Sequence, residues 1–157
     1  MYSLFRLVMC VLLTMTIVSC TTGKRPSEDN IVTDSPYKFS AWQLDGSTEF
    51  EAINTLLSEA DGLIETNSLN AAEDKLERVL RIKAGYAPAW SRLSWMALEM
   101  NSPKRAVQMA KRSNSFAHGD KKLQSLNWSF IRDASKALDN LDEFLRAARK
   151  IESLQTF

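Results

Sequence analysis

The sequence predicts an all-α fold, on three observations. From Thr48 onward apolar residues recur at spacings of three and four, the helical period. The strict alternation of a half-buried strand is absent, and glycine is sparse. Residues that start and stop helices punctuate the run at intervals of one helix length.

Each element follows from that punctuation. Thr48 with Glu51 has capping-box spacing and opens a helix over 49–66, which Asn67 closes. A second helix over 70–83 stops before Gly85, and a third over 88–100 stops at Asn101. Ser102 followed by Pro103 supplies a cap and a first-turn proline to a fourth helix over 103–115. Asp120, after Gly119, opens a fifth over 121–138, and Asn140 separates it from a sixth over 141–154.

The helices fall into pairs with an internal period. Asn67 and Asn101 are 34 residues apart, and so are Ala72 and Ala106. From Ala87, Trp90, Leu93, Ser94 and Ala97 follow a large, leucine, small, packing pattern, and Ala106, Ala110 and Ser113 put small residues on the next helix. One period earlier, Leu56, Ala60, Leu63, Ala72, Leu76 and Val79 hold the matching places. On these residues the chain resembles the tetratricopeptide repeat, whose unit is about 34 residues of helix–turn–helix. The resemblance implies a short α-solenoid of about three helix pairs over roughly 49–154. Glu59 departs from the expected leucine, and Ala84 replaces the usual proline. The third unit is degenerate, with about five residues inserted around Phe116–Asp120, as terminal units of solenoids often are. In such packing Trp90 and Leu76 fill the space between helices.

The N-terminus reads differently. Arg6 precedes an apolar run from Leu7 to Val18 that ends abruptly on Cys20. Roughly 20 apolar residues are needed to span a bilayer, and this run is shorter. A positive start, a short apolar core and small residues before a cut point describe a secretory signal peptide. Ile17, Val18, Ser19 and Cys20 resemble a bacterial lipobox, whose cysteine is acylated and becomes the mature N-terminus. Cys10 follows the bulky Met9 and reads as signal-peptide core; with it removed, Cys20 has no disulfide partner. The resemblance implies a lipid-anchored protein. Thr21 stands where inner-membrane retention favours aspartate, which implies the outer membrane, facing the periplasm. The expected organisation is a signal peptide over 1–19, a lipidated N-terminus and tether over 20–47, and the helical domain over 48–157. The tether is rich in Ser, Thr, Asp and Pro, and extended at about 3.3–3.6 Å per residue it reaches ~90 Å. Tyr37, Phe39 and Trp42 break its pattern; the segment either folds back onto the domain or docks on a partner.

Catalytic sequence signals are lacking. The one histidine, His118, stands beside Gly119 in a loop. No glycine-rich phosphate loop, metal-ligand spacing or nucleophile–base–acid set is present in the sequence. The carboxylate pairs Glu49/Glu51 and Asp142/Glu143 stand at helix starts, where the dipole favours negative charge. The expectation is a non-enzyme with no cofactor, no metal and no small-molecule substrate. Loss of residues 1–19 removes Arg6 alone, so 20 basic residues become 19, against 19 acidic ones. A formally neutral chain has no general attraction for nucleic acid. Charge order is uneven: eight acids and one base from Glu49 to Glu77, then ten bases and two acids from Arg78 to Lys122. A solenoid turns sequence order into spatial order, which predicts an acidic end and a basic middle able to steer a partner.

In tetratricopeptide arrays the first helix of each pair lines the concave face. The matching positions are Asn54, Leu57, Asp61, Ile64 and Glu65 on the first unit. On the second they are Pro88, Ser91, Trp95, Leu98 and Glu99, with Arg92 alongside as a rim charge. Trp95 and Arg92 are the residue types that dominate binding hot spots; packing of Trp95 under the third unit is the other reading. Architecture and the run "APAWSRLSWMALEMNSPKRAVQMAKRSNS" resemble small tetratricopeptide lipoproteins that activate penicillin-binding proteins in Gram-negative bacteria. That resemblance implies an adaptor whose protein partner is a class A penicillin-binding protein. A pilotin-like assembly factor for a type IV pilus or secretin is the alternative.

Overall fold

The computed structural model describes residues 50–156. Cys20, the Tyr37/Phe39/Trp42 cluster and Thr48 lie outside the described residues, which contain six α-helices and no strand. These are α1 Glu51–Glu65, α2 Leu69–Ile82, α3 Ala87–Glu99, α4 Pro103–Phe116, α5 Lys121–Ala137 and α6 Leu141–Gln155. Every boundary falls within two residues of its expected position.

The first helix of each pair ends in the same way. Asn67, Asn101 and Asp139 adopt left-handed φ values of 55°, 51° and 52°. In each case the next N–H reaches back five residues: Ser68 to Leu63 at 2.8 Å, Ser102 to Ala97 at 2.7 Å and Asn140 to Ser135 at 2.9 Å. This double-bonded helix end satisfies carbonyls that would otherwise be orphaned. Two expectations are corrected here. Asp139, not Asn140, takes the left-handed turn, while the Asn140 side chain caps α6 by accepting the Glu143 N–H at 3.1 Å. Gly85 is not left-handed; a Cβ there would lie 3.3 Å from the Phe116 ring, so the glycine makes room for the aromatic.

Caps divide in the same fashion. Asp120 accepts the Leu123 N–H at 2.9 Å, as its position before α5 predicts. Ser102 does not cap α4, because its hydroxyl turns back to the Met100 carbonyl at 3.3 Å. Pro103 still opens that helix, where its missing N–H costs nothing.

The helices pack most heavily as the pairs α1–α2, α3–α4 and α5–α6, and α4 packs against α5. Lighter contacts of α2 and α5 with α3 complete the stack. Small residues permit these approaches: Ala60, Ala72, Ala106, Ala110, Ala134 and Ala147 are all fully buried. Leu57, Leu76, Met96, Phe130 and Ile131 fill the core, each contributing about 1.5–3 kcal/mol by burial. Every residue of α3 from Ser91 to Ala97 is buried, the pattern of a helix surrounded on most sides.

Candidate functional site

The residues expected to line an open groove lie on α1 and α3, whose i, i+3, i+4 spacing groups them on one face of each helix. Leu57, Ser91 and Arg92 are fully buried and Trp95 is 6 % exposed, whereas Asp61, Leu98 and Glu99 are half-buried. Two successive reversals, α1 to α2 and α2 to α3, leave α3 parallel to α1. Asp61 and Arg92 are thereby brought together.

Arg92 is not a rim charge. Its Nε donates to Asp61 Oδ1 at 2.7 Å, its Nη2 to Asp61 Oδ2 at 2.8 Å, and its Nη1 to the Pro88 carbonyl at 3.2 Å. The planar guanidinium matches the carboxylate with two parallel bonds. Removed from solvent, Arg92 joins the first helix pair to the second and offers no long-range pull on a partner. Tyr86, buried close by, has its hydroxyl pKa pushed up to about 12. Burial is the main cause; the Arg92 charge opposes it and the Asp61 charge adds to it.

The expected division between the tryptophans is also revised. Trp90 is half-buried, donates its indole N–H to the Ala84 carbonyl at 2.8 Å and lies under the Arg112 guanidinium, 4.8 Å from the ring centroid. Trp95 belongs to the main core. Trp90 thus packs at the edge of the core with Arg112 over its ring, while the crowding around α3 encloses Trp95.

Sequence reasoning missed a polar seam on the other side of α3. Ser94 donates to the Ala106 carbonyl and Ser113 to the Ala87 carbonyl, each at 2.8 Å. Buried Asn127 donates to Ser113 Oγ at 2.8 Å and Asn114 Oδ1 at 2.9 Å, tying α5 to α4. Ser94 and Ser113, at places where the sequence reading expects small residues, were the available signal.

Charge order likewise acquires a partner-by-partner explanation. Glu59 meets Lys75 at 2.6 Å, Glu73 meets Arg105, and Lys111 meets Glu143 at 2.9 Å. The acids of the first pair therefore meet bases in the same and the next pair, so the expected separation of acidic end from basic middle is partly cancelled by stacking. An open cleft of about 700 Å³ between α1 and α2, lined by Glu51, Leu56, Glu59, Lys75, Arg78 and Ile82, carries both signs of charge.

Two polar atoms on the α1–α3 side remain unmatched. Ser91 Oγ and Glu99 Oε1 are buried and have no hydrogen-bond partner among the described residues. Burial raises the Glu99 carboxyl pKa above its ordinary value. His118 is exposed. Among the described residues no group of three or more His, Cys, Asp or Glu side chains could hold a metal, and no helix is long and apolar enough to cross a membrane. Comparison with protein-family models, curated protein sequences and solved structures gives no match to this chain.

Proposed function

We propose that the protein is a lipid-anchored periplasmic adaptor, built on a tetratricopeptide-like stack, that binds and activates a class A penicillin-binding protein. The reading is supported above all by the shared geometry of the three helix pairs. The 34-residue spacing of Ala72 and Ala106, both fully buried, accompanies the same left-handed helix ending at Asn67 and Asn101. Repeat stacks of this kind work as binding scaffolds. The lipobox-like run ending at Cys20 supplies the anchor in this reading, and the tether supplies reach toward a partner at the inner membrane.

The test adds the purified protein to a class A penicillin-binding protein with lipid-linked precursor. Faster glycan polymerisation, with no turnover by the adaptor alone, is the expected result. Turnover by the adaptor alone would make it an enzyme, and a deletion strain with normal wall synthesis but no surface pili would favour the pilotin alternative. Cys20→Ser should leave an unacylated precursor missing from outer-membrane fractions; unchanged fractionation, with no acyl label on the wild type, would remove the anchor.

A further inference from the structure

We propose that the outward face of α6 is a self-association surface, on which two copies of the chain pair α6 to α6, antiparallel, about a two-fold axis near Leu145. The pairing goes beyond the adaptor reading and does not depend on it.

The surface is what α6 leaves uncovered. This helix packs substantially against α5 alone, and the last helix of a stack ordinarily turns a polar face to solvent. Here Leu141 is 66 % exposed and Leu145 is 43 % exposed. With Ala148 and Glu152 they recur at i, i+4, i+7 and i+11, a single stripe turned away from the buried Ala147. That is the spacing with which one helix seams against another. An open cleft of about 280 Å³ continues the stripe at its N-terminal end, between Lys136 and Asp139 on one side and Leu141 and Phe144 on the other.

The charges beside the stripe select a second copy as its occupant. Asp142 and Arg149 are exposed, stand on the same flank and make no ion pair among the described residues. Glu143 and Arg146, by contrast, already bond each other at 2.8 Å. Seven residues separate Asp142 from Arg149, two turns or ~10 Å of helix. In an antiparallel pair each flank meets the same flank of the other helix. Asp142 of each copy therefore comes opposite Arg149 of the other, twice by symmetry. A parallel pair would set this flank against the opposite one, which carries Phe144 and Ile151 and offers no charge. The antiparallel arrangement also brings Glu152 of one copy over Leu141 of the other and toward Lys136 in the wall of the cleft.

A single helix pair is a small interface, so the dimer is weak and concentration-dependent. Because α6 is the last helix, pairing there leaves α1 of both copies uncovered. One dimer then presents two equivalent first units, an arrangement that turns weak single contacts into avidity.

Sedimentation equilibrium of the full chain in density-matched detergent reads the protein mass directly. The wild type should pass from one chain to two as its concentration rises. Leu145→Glu should weaken this association by at least about tenfold, ~1.4 kcal/mol, with an unchanged helical circular dichroism signal. Asp142→Arg and Arg149→Asp should each weaken it alone, because each sets like charges opposite one another. Mixed in equal amounts, these two variants should form a heterodimer tighter than either homodimer, since both charge pairs are restored. A wild-type chain that stays single up to ~1 mM overturns the proposal. Association that survives Leu145→Glu also overturns it, assigning the contact to the apolar N-terminal run or to another face. A mixture no tighter than the separate variants overturns the antiparallel pairing, and the proposal with it. No synthase is present, so the result stands apart from that of the activator test.

Discussion

Trp90 and Trp95 lie five residues apart on α3, yet their environments differ enough to separate their roles. Truncating a fully buried aromatic typically costs about 3–5 kcal/mol, through lost burial and the cavity left behind. Trp95→Ala is therefore expected to cost that much in urea unfolding. Trp90→Ala should cost less, because Trp90 is half-buried and the Arg112 side chain can relax over the gap. Equal losses would show that Trp90 supports the core as fully as Trp95 does. Tyr86 gives a second residue-scale test. With its pKa raised to about 12 in the folded protein, it should ionise late in an alkaline absorbance titration, and Tyr86→Phe should remove that late step. The sign follows from linkage: a folded pKa above the unfolded value of about 10 favours the fold at lower pH. Its contribution is complete below pH ~10 and lost as pH rises toward 12, so Tyr86→Phe should flatten the stability curve across that window.

Helix ends decide the next scale. Asp120 accepts a backbone N–H at the start of α5, whereas the Ser102 hydroxyl faces backwards to Met100. Asp120→Ala should cost about 1 kcal/mol, the usual value of a working cap. Ser102→Ala should change stability by less than about 0.5 kcal/mol, as a substitution that removes no cap. Thermal melts of the two variants compare them directly, and equal losses would mean that Ser102 caps in solution. The recurrent left-handed residue is an element-scale feature as well. Asn and Asp visit that region because their short side chains bond locally, and the same ending on α1, α3 and α5 turns each first helix sharply into its partner.

Across the whole molecule, ion pairs connect equivalent helices of successive pairs. Asp61–Arg92 links α1 to α3, Glu73–Arg105 links α2 to α4, and Lys111–Glu143 links α4 to α6. Only the first encloses a fully buried charge. Asp61→Asn should cost about 3 kcal/mol or more, because it leaves a cation in the interior without its carboxylate. Glu73→Gln, at a partly exposed pair, should cost less than about 1 kcal/mol. Denaturant midpoints for both variants test this ordering. A small loss for Asp61→Asn would mean that Arg92 gains solvent once the pair is broken.

How much of this was legible beforehand depended on range. Helix positions were, because the 3.6-residue period, asparagine stops and Asp120 act within a few residues of themselves. The buried small residues were also legible, since Ala72 and Ala106 repeat at the unit length. Of the groove candidates, Leu57, Asp61, Ser91, Arg92, Trp95, Leu98 and Glu99, the helix on which each stands was readable from the sequence. Their environments were not. Whether Arg92 meets solvent depends on Asp61, 31 residues away, and Trp95 is enclosed because α3 sits at the centre of the stack. Local chemistry is written in neighbouring residues. Burial and charge pairing depend on which distant surfaces meet, and only the tertiary structure decides that.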